Sequence, residues 1–195
     1  MQLLSSRNKA KLKRLIRYFK KVPKIIFLDI DGVLNSEVDF NSYTEEEKRR
    51  YYDIALRPLK LLDDLVDETK AKIVISSTWR KSRHTSTLNE VLLKEITDVD
   101  RIRMIFKKRG FKNYKSIVSR TPVLKGEGIV EIRYWIMHNE KIINCDHYDF
   151  NSYIIFDDDS DMLFWQKDNF FKVDGYVGLT PNLCYKAKHF LNHKY

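Results

Sequence analysis

The chain has 195 residues, 43% of them hydrophobic and 32% charged, with only six glycines and four prolines. That is enough for one domain with a buried core and too little for a second full one; the composition excludes disordered and fibrous classes, and no apolar run reaches the roughly 18 residues that cross a bilayer. The formal net charge of +9 is confined to one end: of 36 basic residues, nine fall within residues 1–24, which hold no acid, and the other 27 balance the chain's 27 Asp and Glu.

Within residues 1–23, Leu12, Leu15, Ile16 and Phe19 recur at the spacing of one helical face, which predicts a basic amphipathic helix ended by Pro23. The apolar core of a secretory signal is missing. Such a tail could dock its apolar stripe on the domain, contact a phosphate backbone, or lie on an anionic membrane. The domain proper, 24–195, opens with a continuous apolar strand at Lys24–Ile30. Residues 36–52 turn polar, as a flap would. "RPLKLLDDLVDET" (57–69) has helical periodicity with proline in its first turn, and "AKIVISS" follows as a second buried strand. The stretch from Thr85 to Gly110 has a charged helical pattern with Gly110 as its stop, and "KSIVSR" (115–120) predicts a short strand. A helix follows over "KGEGIVEIRYWIMHNEK", Lys125 to Lys141, with Ile129, Ile132, Trp135 and Ile136 on one face. Then come the apolar strand "SYIIF", a short strand in "FFKVDGYVGLT" and a closing helix in "PNLCYKAKHFLNH". Strands alternating with helices predict an α/β fold, a mainly parallel sheet flanked by helices. Cys145 and Cys184 form no zinc or disulfide pattern, so a reducing, cytoplasmic setting is the default. The one-turn spacing of His189 and His193 fits a polar helix face better than a metal site.

Ligands of open parallel sheets bind beyond the carboxyl ends of the strands. Here three apolar runs end in "DID", "SSTWR" and "DDDSD", which brings Asp29 and Asp31, Ser76 and Ser77, and Asp157 and Asp158 to one rim. Two carboxylates about 4 Å apart repel by roughly 4 kcal/mol at an effective dielectric near 20. Mg²⁺, a hard cation that prefers oxygen ligands, removes that cost, so Asp29 and Asp31 are expected to share Mg²⁺ with Asp157 or Asp158. Zinc is disfavoured for want of a cysteine or histidine cluster, and no P-loop is present.

At these residues the sequence resembles the haloacid dehalogenase (HAD) superfamily of phosphohydrolases. "FLDIDGV" matches its hhhDxDG signature; "IVISS", "KGEGI" and "IIFDDDSD" resemble its second, third and fourth motifs, in that order over roughly residues 24–190. More narrowly, "FLDIDGVLNS", "AKIVISSTWR", "FDDDSDM" and the late "GLT" are similar to the HAD domains of Swiss-army-knife RNA-repair proteins. The resemblance implies a Rossmann-like fold and an aspartyl-phosphate mechanism. Asp29 would be the nucleophile, and Asp31 the acid and base, with its backbone carbonyl a metal ligand. Gly32 would allow the sharp turn beside them. Ser76 would contact phosphate, with the register open by one position to Ser77. Lys125 would offset phosphoryl charge unless it is a solvated helix-start lysine, and Arg80 is either a second phosphate contact or a surface arginine. Asp157 and Asp158, ahead of Asp161, would be the metal-side acids.

The gaps after the first and second motifs are too short for a full cap domain, and a small or absent cap leaves the site open to a large substrate. The expected activity is a Mg²⁺-dependent phosphatase for nucleotides or polynucleotide ends, with possible nucleic-acid contact through the basic tail. The alternative is a catalytically inactive HAD-fold nucleic-acid-binding protein that uses the tail. Tyr51, Tyr52, Trp79 and Trp135 read as core or flap residues rather than base-stacking platforms.

Overall fold

The structure, a computed structural model, describes residues 22–46, 54–81, 97–124, 130–147 and 150–193. The predicted tail helix, Lys125, Tyr51, Tyr52 and the first part of the charged 85–110 stretch lie outside these residues. The apolar runs become five strands: β1 (Ile25–Leu28), β2 (Lys72–Ile75), β3 (Ile117–Arg120), β4 (Tyr153–Asp157) and β5 (Phe170–Lys172). All pair in parallel, in the order β3-β2-β1-β4-β5.

β1 is wholly buried because both faces of the sheet are covered. Ile26 and Leu28 point to one side with Ile73, Ile75, Ile154 and Phe156; Ile25 and Phe27 point to the other with Val74, Tyr153 and Ile155. The described residues form six helices, α1 (Glu37–Asn41), α2 (Leu56–Thr69), α3 (Asp98–Lys108), α4 (Glu131–His138), α5 (Glu140–Ile143) and α6 (Pro181–His193), of which α2 to α6 supply the cover. Leu59, Leu62, Leu65 and Val66 of α2, Ile102 and Phe106 of α3 and Leu191 of α6 fill the first face. Trp135 and Ile136 of α4 and Ile143 of α5 fill the second, where Phe27 meets Trp135 edge to face at 5.4 Å. None of the described helices is long and apolar enough to cross a membrane.

Local chemistry explains the element ends. Thr97 caps α3 by accepting the Asp100 N–H at 3.1 Å, and Gly110 follows the helix at φ +92°, a conformation few other residues adopt. The helix expected to run on through Lys141 stops at His138 instead. Asn139 turns its side-chain amide back onto the Trp135 carbonyl at 2.8 Å, satisfying a group the helix end leaves open, and α5 restarts after it. In the polar flap, Ser36 caps the short α1 by accepting the Asp39 N–H at 3.3 Å.

An ion pair between the exposed Arg57 and the buried Asp39 fastens this flap to the far end of the chain. Arg57, in the first turn of α2, donates to both carboxylate oxygens of Asp39 at 2.8 and 2.7 Å and also to the carbonyls of Leu179 and Val177. Val38 N–H donates to Tyr176 O at 3.0 Å, and Leu179 N–H to Val33 O at 3.0 Å. The turn after β1 and the 174–180 loop are therefore one unit. It stands where the strand order reverses, between β1 and β4, the position at which open parallel sheets leave a crevice.

Candidate active site

Parallel pairing sets the first contact. Leu28 is in register with Phe156, and the next N–H, that of Asp29, donates to Phe156 O at 3.0 Å, so Asp29 and Asp157 leave adjacent strands side by side. Asp158 follows, and carboxylate oxygens of Asp29, Asp157 and Asp158 lie within 4.8 Å of one another. Two glycines make room for Asp158. A Cβ on Gly32 would sit 2.2 Å from Asp158 Oδ2, and one on Gly175 would sit 2.6 Å from it.

Crowding and burial set the protonation of this cluster. The Asp29 carboxyl is pushed up to about 7, chiefly because burial strips its water and then because Asp157 is beside it; the Ser77 hydroxyl and the Ile30 N–H act in the opposite direction. Asp157 is pushed up to about 6, again mainly by burial, against the Asp159 N–H that donates to it at 2.9 Å. Asp158 is raised too, by burial first, with Lys172 opposing. Three acids held this close and this dry are poor company when ionised and good ligands for a hard cation: the oxygen donors and their convergence fit Mg²⁺.

Asp31 stands apart from that cluster. Its side chain is exposed at the rim, where Asn35 Nδ2 donates to Oδ1 at 2.7 Å and Trp79 Nε1 donates to both oxygens at 3.0 and 3.1 Å. Gly32, at φ +72°, turns the chain between Asp31 and Asn35, and its N–H donates to Asn35 Oδ1 at 3.0 Å.

After β2 the Ser76 N–H extends the sheet by donating to Leu28 O at 2.9 Å, and it is the buried Ser77 that turns its hydroxyl to Asp29. Arg80 lies in the 3-10 turn Thr78–Lys81; its side chain, like Lys125, is outside the described structure. Asp161 is exposed, and its charge adds to the upward push on Asp157. Sequence reasoning missed Asn35, Gly175 and the role of Trp79 as a donor. The glycines of "DGYVG" were the available signal for the close approach of the 174–178 turn. A second group, Glu140, Asp146 and His147, lies before the amino end of β4, where His147 Nδ1 is 3.1 Å from a Glu140 carboxylate oxygen.

Comparison with curated proteins and with solved structures finds no match. A family model described as the HAD domain in Swiss Army Knife RNA repair proteins matches residues 25–183, from the first residue of β1 into α6. The chain therefore belongs to the HAD domains of Swiss Army Knife RNA repair proteins, within the phosphatase and hydrolase superfamily of that fold.

Proposed function

We propose that this chain is a Mg²⁺-dependent phosphomonoesterase acting on nucleotides or polynucleotide ends. The observation that carries the reading is the convergence of Asp29, Asp157 and Asp158 from two adjacent strand ends. These residues, with the backbone carbonyl of Asp31, would hold the metal. When bound, Mg²⁺ supplies the positive charge that keeps the carboxylates ionised and offsets charge on the phosphate.

Asp29 attacks phosphorus, the ester P–O bond breaks, and the departing oxygen takes a proton from Asp31. Water then attacks the phosphorus of the aspartyl-phosphate and gives its proton to Asp31, and the bond to Asp29 breaks to release phosphate. Ser77 orients Asp29, while Ser76, Arg80 and Lys125 serve the phosphoryl oxygens. Polynucleotide ends are favoured as substrates by the family and by the exposure of Asp31 at the rim.

The test is phosphate release from mononucleotides and from 3′- and 5′-phosphorylated oligonucleotides, with Mg²⁺ and with EDTA. Release should require the metal and vanish in Asp29→Asn. No release from any of these substrates, or undiminished release by the variant, overturns the reading.

A further inference from the structure

We propose that Trp79 is a positioning residue that holds the acid–base carboxylate through its indole N–H. The inference rests on the phosphatase reading and extends it to a residue outside the family's acidic motifs. An exposed aspartate ordinarily samples several rotamers, and ordering it costs conformational entropy. Asp31 is instead gripped from two sides, by Trp79 Nε1 on both oxygens and by Asn35 on one. A hydrogen bond to an exposed carboxylate adds little to stability, so its consequence here is position.

The tryptophan is itself anchored. Its ring packs against the core, its backbone N–H donates to Ser77 Oγ at 3.3 Å, and its backbone carbonyl accepts from Arg101 Nη2 at 2.8 Å. Arg101 is only 5% exposed, so this is a fixed attachment rather than a surface contact. Ser77 bonds Asp29 in turn. The segment from Ser77 to Trp79 thus sets the placement of both aspartates: Asp29 through the Ser77 hydroxyl and Asp31 through the indole.

Protonating the leaving oxygen matters in proportion to how poor the leaving group is, which separates positioning from mere structural support. A phosphorylated oligonucleotide leaves as an alkoxide and needs the proton; p-nitrophenyl phosphate leaves as a stabilised phenolate and does not. With Mg²⁺ present, Trp79→Phe should lower kcat/KM, which reports formation of the aspartyl-phosphate and not its hydrolysis, by about tenfold or more on the oligonucleotide and by less than about threefold on p-nitrophenyl phosphate. Asp31→Asn should show the same split, and adding Trp79→Phe to it should cost nothing further. Benzothienylalanine at position 79 keeps the two-ring volume and replaces N–H with sulfur; it should reproduce the split even if the phenylalanine variant folds poorly. Equal losses on both esters, or no loss with benzothienylalanine, overturns the assignment while leaving the phosphatase reading intact. Absence of turnover of either ester by the wild type overturns both.

Discussion

Gly32 shows how tightly the acidic cluster constrains single positions. At φ +72° an L side chain is strained, and a Cβ would meet the Asp158 carboxylate at 2.2 Å. Gly32→Ala is therefore expected to displace Asp158 and to weaken Mg²⁺ binding by about tenfold or more, the scale on which small perturbations around metal ligands act, as measured by the Mg²⁺ dependence of turnover. Asp29 is the opposite case, a side chain whose shape is replaceable and whose charge is not. Asp29→Asn should keep the fold, since asparagine can still accept from the Ser77 hydroxyl, and should abolish phosphate release. Without metal it should be more stable than the wild type near pH 8, because it removes one of the mutually repelling anions; thermal melts in EDTA check this.

At the scale of elements, the flap after β1 and the loop after β5 are joined through Arg57. Asp39 is 6% exposed, and deleting its guanidinium partner leaves a buried carboxylate short of donors along with the two carbonyls of the 177–179 segment. Arg57→Ala should cost about 2 kcal/mol, which lowers Tm by about 4–8 °C for a chain of this size. The effect should also reach the site, because the same loop carries Gly175 against Asp158. A weaker apparent Mg²⁺ affinity in Arg57→Ala, with unchanged Asp157 and Asp158, is the expected signature in a metal titration.

For the molecule as a whole, the cluster links stability to pH and to metal. Asp29 and Asp157 bind protons more tightly folded, near 7 and 6, than at their ordinary value of 3.8. Their contribution to the metal-free protein is thus fully present below pH 3.8 and is lost as pH rises to about 7. Other groups add their own slopes, so the clean measurement is a difference: the gain in Tm on adding Mg²⁺ should grow from pH 5 to pH 8, and binding near pH 6.5 should release protons to the buffer. A gain in Tm independent of pH, or absent, would place the cation elsewhere.

The chain order of apolar runs determined the alternating α/β architecture, because runs buried on both faces have few other ways to pair than in a helix-flanked parallel sheet. The same runs located Asp29, Asp31, Asp157 and Asp158, since residues that follow buried strands emerge at one rim. Periodicity could not say that Asn139 would break the predicted helix, because that depends on one side chain folding back on one carbonyl. Nor could it say that the Ser77 hydroxyl would face Asp29: that rests on where β2 stops pairing and how the chain turns after it. Trp79 read as a core or flap residue because apolar bulk is visible in a sequence and the direction of an indole N–H is not. Contacts between residues far apart in the chain, such as Gly175 beside Asp158 and Arg57 across to Leu179, were decided by tertiary packing alone, since no local pattern encodes which distant loop closes over a strand end.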